Sequence, residues 1–166
     1  MRFQSQGKLC LQVGLLLGLV LAACLPIARG VPAPSLGRRF KSNGEQIYFT
    51  ATNQHGTPIT SDLQMGMMGS GTVACASCHG SEGRGGRVQM MMQTFDAPNI
   101  RYKTLTSEGM THGEGEDHPP YTDETIKRAI TQGVDPAGNS LKRPMPRWSM
   151  SDADLNDLLD YLKSLP

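Results

Sequence analysis

Five consecutive residues, Cys75-Ala76-Ser77-Cys78-His79, limit what this chain can fold into more than any others. Two thiols separated by two residues can each reach one vinyl group of a haem and form a thioether. The His directly after the second Cys is then carried under the iron, where an imidazole nitrogen becomes a ligand. C-x-x-C alone also fits half a zinc site or a redox dithiol. A structural zinc site needs two more Cys or His at suitable spacing, and His55, His112 and His118 form no such pair. A thioredoxin-like dithiol follows a strand of a βαβ unit, and no such pattern precedes Cys75. The motif therefore predicts one covalently attached haem, with Cys75 and Cys78 as thioether positions and His79 as an axial ligand.

Composition agrees with a chain that folds around a large apolar body. At 166 residues there is room for one ordinary domain. Apolar residues make up 38% and aromatic ones only 5%, which would leave a thin core unless a haem filled it. The formal net charge of +1 gives no field that would attract nucleic acid, and no such partner is expected.

Residues 1–23 read as a signal peptide. Arg2 and Lys8 precede Leu9–Ala23, an apolar run interrupted only by Gln12. At about 15 residues the run is short for a membrane span and suits the apolar segment of a secretory signal. Three endings stay open. Leu21-Ala22-Ala23-Cys24 fits a lipoprotein signal, with Cys24 cleaved before and lipidated as a membrane anchor. Ala28-Arg29-Gly30 before Val31 fits the ordinary signal peptidase, and an uncleaved anchor reaching Ala28 is the third. Each places the folded part outside the inner membrane, in the periplasm. Cys10 falls in the signal, so no pair of cysteines remains for a structural disulfide.

Residues 24–42, rich in Pro and small residues, read as a linker or tether, and 43–166 as the haem domain. Within it, Gln46–Ile59 combines β-formers with a Gln54-His55-Gly56 turn signal and suggests a short hairpin, although Gly44–Phe49 equally suits the start of a helix. Met65–Gly71 reads as a flexible stretch, and residues 80–120 as mostly irregular. Two helices close the chain. One is capped by Thr122, with Asp123 and Glu124 in its first turn, Ile126 and Ile130 on one face and Gly133 as its stop. The last opens at Ser151-Asp152-Ala153-Asp154 and carries Leu155, Leu158, Leu159, Leu162 and Leu165 on one face, with Asp157, Asp160 and Lys163 opposite.

A six-coordinate electron-transfer haem needs a ligand from the far side. Met145 stands in Arg143-Pro144-Met145-Pro146-Arg147-Trp148, where flanking prolines stiffen the backbone and present the side chain at a fixed depth. Met150, His112 and His118 are the reserve candidates. A lone Met is otherwise adaptable core filler. Lys142, Arg143 and Arg147 suit either the haem propionates, an acidic partner or a solvated face. Trp148 suits either an indole bond to a propionate or simple packing.

Taken together, Gly44–Phe49, Cys75–Gly80, Ala97-Pro98-Asn99-Ile100, Met145-Pro146 and Asp160-Tyr161-Leu162 resemble the class I (cytochrome c-like) monohaem cytochromes of bacteria, over roughly Gly44 to Pro166. The resemblance implies a small all-α fold around one haem c, with the first and last helices crossing. It also implies that Pro98 offers its carbonyl to His79, and that Tyr48 and Phe49 pack on Tyr161 and Leu162. The function it implies is a periplasmic or membrane-tethered electron carrier, not an enzyme, serving a respiratory reductase or oxidase. Its partners would be redox proteins, and the chain would be a monomer or a complex subunit. Members of that group run almost directly from the first helix to the haem motif, whereas 24 residues intervene here between Phe49 and Ala74. Residues 50–73 are therefore expected to form an irregular or hairpin insert, carrying His55 and the Met65, Met67, Met68 cluster and breaking or displacing the first helix.

Three other readings stay open. The chain could be the electron-entry subunit of a larger oxidoreductase. The same cluster, with Met90-Met91-Met92, could make a Met-rich copper- or redox-responsive module, since thioethers bind Cu(I), or could serve as adaptable packing. A haem peroxidase would need an exchangeable sixth position, which Met145 and the lack of an acid/base pair near the motif argue against.

Overall fold

The computed structural model describes residues 38–63, 73–90, 92–108 and 118–166, and the folded unit is Phe40–Pro166. The signal peptide, Cys24, most of the tether, Met65, Met67, Met68, Met91 and His112 lie outside the described residues.

The first helix, α1, runs Asn43–Thr50. The Ser42 hydroxyl accepts from the Glu45 N–H at 3.0 Å, satisfying one of the free donors at the helix start, and the Glu45 carboxylate accepts from the Lys41 N–H at 2.6 Å just before it. Gln46–Phe49 is thus helical, so of the two readings of this stretch the helix start holds and the hairpin does not. The cap, and the burial of Ile47 and Tyr48 at 2% and 0% exposure, outweigh the strand preference of this β-rich stretch. What survives of the hairpin is an isolated bridge between Thr52 and Pro58 around the predicted turn. The Asn53 side-chain oxygen there accepts from the N–H groups of His55 and Thr57. The insert leaves α1 unbroken and begins after it.

Near the other end lies α5, Asp152–Ser164, whose Ser151 cap accepts from the Asp154 N–H at 3.1 Å. Leu155, Leu158, Leu159 and Leu162 are buried, each worth about 2 kcal/mol relative to exposure. The two helices cross at Gly44. The Tyr48 and Tyr161 rings meet at 5.1 Å between centroids, and Phe49 meets Tyr161 edge-on at 6.2 Å. A polar pin locks the crossing: Asn43 Nδ2 donates to Asp154 at 2.9 Å and to Asp157 at 2.7 Å, and Asn53 Nδ2 donates to Asp154 at 3.3 Å. Burial alone would raise the Asp154 carboxyl, but the bonds from Asn43, Ser151 and Asn53 overcome it and hold the group below the usual carboxylate range.

Two further helices pack on α5. The short α3, Tyr102–Leu105, and α4, Asp123–Gln132, are joined by the Tyr102 hydroxyl donating to Asp123 at 2.9 Å. α4 has the expected Thr122 cap, and it stops at Gly133 in the left-handed region.

Helices make the body, but the fold is not purely helical. Strand β1, Thr60–Ser61, pairs antiparallel with β4, Trp148–Ser149. Strand β2, Gly86–Met90, pairs with β3, Gln93–Ala97, in a hairpin where an irregular segment was expected. That hairpin was hard to read because its strands are mostly polar. Its turn places Met92 at φ 65, where Gly or Asn is usual.

Candidate functional site

Cys75–His79 form one short turn of helix, α2 over Ala76–His79, with the His79 N–H donating to the Cys75 carbonyl at 2.9 Å. The turn is held from α1 by the Tyr48 hydroxyl, which donates to the Gly80 carbonyl at 2.6 Å. Burial, supported by the nearby Cys75 and Tyr161, pushes that phenol far up, so it stays a donor. Neither Cys75 nor Cys78 is in a disulfide. Burial pushes Cys75 up to about 12 and raises Cys78 as well. Among the described residues no group of three or more His, Cys, Asp or Glu could hold a metal ion.

The chain then folds back on the motif. The Gly85 N–H donates to the His79 carbonyl at 2.9 Å, and the Ile100 N–H to the Gly83 carbonyl at 2.8 Å. This return passes so close that a Cβ on Gly85, itself at φ +69, would fall 2.1 Å from the Ala97 oxygen and 2.5 Å from the Pro98 oxygen. It brings the Pro98 carbonyl 2.9 Å from His79 Nδ1. A carbonyl only accepts, so Nδ1 carries the proton and Nε2 keeps its lone pair. Burial holds the imidazole below the usual histidine range against the opposing pull of the Pro98 bond, so the ring is neutral. Two neutral thiols beside an imidazole with a free lone pair at Nε2 form a donor set that fits a haem attached through sulfur and ligated by nitrogen.

Met145 is half-buried and packs against the same buried cluster as Cys75 and Ala76. Its N–H donates to the Lys142 carbonyl at 3.3 Å, and its carbonyl accepts from the Arg147 guanidinium. Met150 packs on that cluster too. His118 stacks edge-on against Tyr121 at 5.1 Å, and His55 is exposed in the Asn53 turn.

The basic residues of the loop divide their work. Arg143 pairs with Asp62, while Arg147 donates to the carbonyls of Leu141, Gly133 and Met145. The Trp148 indole is buried and donates to the Val73 carbonyl at 3.2 Å, so its N–H serves the fold and not a propionate. Sequence reasoning missed Asp62 altogether. It lies 81 residues from Arg143, and no local pattern marks it.

The family model described as Cytochrome c matches residues 42–166. No curated protein and no solved structure matches the chain.

Proposed function

The chain belongs to the cytochrome c family, and from that premise we propose that it carries single electrons outside the cytoplasm, between a donor and a respiratory reductase or oxidase. In this reading Cys75 and Cys78 would hold one haem c through sulfur, and His79 and Met145 would ligate its iron. The haem supplies a reversible one-electron change at its iron.

Everything else falls to the chain. Cys75 and Cys78 would fix the haem against the α2 turn through thioethers. Pro98 keeps the proton on Nδ1 and so aims the Nε2 lone pair and raises its basicity. Met145 would contribute a thioether, a poor donor to ferric iron, which would favour the reduced state and a positive potential. The observation that carries the reading is the buried, neutral His79 with its Nδ1–H given to Pro98 at 2.9 Å.

Export rests on the apolar run Leu9–Ala23, and lipid anchoring on Cys24. Among the described residues no helix is long and apolar enough to cross a membrane.

The test is the ferric absorption spectrum of Met145→Ala. Thioether ligation of ferric haem gives a weak band at the red edge of the visible range. The band should be present in the parent protein and absent in Met145→Ala, with the potential shifted negative. A band that persists in the variant would remove Met145 from the site.

A further inference from the structure

The segment that departs from the family pattern grips the loop that carries Met145. Thr60 and Ser61 pair with Ser149 and Trp148 as β1 and β4. One residue on, Asp62 makes four contacts with that loop. Its carboxylate accepts from Arg143 Nη1 at 3.1 Å and Nη2 at 2.8 Å, and from the Arg147 backbone N–H at 2.8 Å. Its own N–H donates to the Arg147 carbonyl at 3.0 Å.

Arg147 completes the grip from within, because its guanidinium donates to the carbonyls of Met145, Leu141 and Gly133. The close fit at Gly133 depends on the absence of a side chain there: a Cβ would lie 1.9 Å from Arg147 Nε. The backbone of Arg147 is therefore tied to the insert, and its side chain to the end of α4. Buried Ile59, whose N–H donates to the Ala51 carbonyl at 2.8 Å, anchors the insert to the end of α1.

We propose that residues 51–62 are a strap that holds the Met145 loop closed, with Asp62 as its positioning residue. The proposal rests on Met145 being the second axial ligand. An exposed ion pair contributes little alone, and Arg143 and Asp62 keep 58% and 39% of their side-chain surface. Asp62 matters because one carboxylate holds a side chain and a backbone N–H at once, both in the loop. A thioether leaves ferric iron readily, so how often the loop opens sets how fast another ligand replaces it. Contacts made only in the closed loop slow that opening.

The experiment follows loss of the thioether band when imidazole is added to the ferric holoprotein. Replacement in Asp62→Ala should run about tenfold faster than in the parent, as expected for losing hydrogen bonds to a charged group. Asp62→Asn keeps an acceptor for the Arg147 N–H and should fall between the two. Asp160→Ala removes an exposed carboxylate from α5 and should match the parent. Rates for Asp62→Ala and Asp62→Asn within about twofold of the parent would overturn the strap. A band that survives in Met145→Ala would instead overturn the ligand reading, and the strap's purpose with it. The two failures are therefore distinct.

Discussion

A chain in which Cys75 and Cys78 are both replaced by Ser is expected to release all of its haem into acidified acetone and to lose cooperative unfolding. The thiols are the only groups in the motif able to form bonds that survive denaturation, so the extraction readout is all-or-none. The folding readout follows from what remains. The buried cluster joins Ile47, Tyr48 and the leucines of α5 to Ile126 and Ile130 of α4, Ile59, Leu105, Tyr121 and Trp148, in a chain with 5% aromatic residues. Domains keep only about 5–15 kcal/mol of net stability. A ligand bound by the folded state alone is part of that balance. On the proposed ligation, a chain without the attached haem leaves Cys75, Ala76 and Met145 short of an apolar neighbour and His79 buried with Nε2 unligated. The check is acid-acetone extraction of the pigment beside thermal unfolding followed by circular dichroism. Retention of the pigment in the double variant would show that attachment does not run through these sulfurs.

The second large effect is expected at the helix crossing. Gly44→Ala should destabilise the protein by about 3 kcal/mol, lowering the melting temperature by about 10 °C. Two effects of opposite sign compete. Ala is the better helix former, by about 1 kcal/mol in a helix interior and less in the first turn, where Gly44 sits. Against this, a Cβ on Gly44 would lie 1.9 Å from the Asp157 carbonyl oxygen and 2.5 Å from its carbon. Both atoms belong to backbone fixed by α5, so no rotamer change relieves the contact and the helices must separate. Separation loosens the Tyr48–Tyr161 contact and the Asn43 bonds to Asp154 and Asp157. A melting temperature at or above the parent's would mean that the helices do not cross this closely.

How much could be read from the sequence depended on how local the physics is. The haem motif was legible because its chemistry lies within five residues. Both closing helices were legible too, because Thr122 and Ser151 satisfy local backbone donors and the apolar positions recur at helical spacing. α1 was ambiguous, since its Ile-Tyr-Phe-Thr run suits a strand as well. The Ser42 cap, and burial of Ile47 and Tyr48 against α5 more than a hundred residues away, decide the matter. The β2–β3 hairpin lacked the turn residues that announce one. Asp154 read as part of a helix cap, whereas it also binds Asn43 and Asn53. Asp62 gave no signal, because its partners Arg143 and Arg147 lie far along the chain and meet it only through the pairing of β1 with β4.

The central claim is that this haem site is closed by chain ligands on both faces and passes electrons without binding substrate at its iron. Carbon monoxide added to the reduced holoprotein tests that directly, because the gas binds ferrous haem only where a position is open. The account predicts an absorption spectrum that stays unchanged in the parent protein, and prompt binding in Met145→Ala. Prompt binding in the parent itself would contradict it and point to an exchangeable site of the kind a catalyst uses.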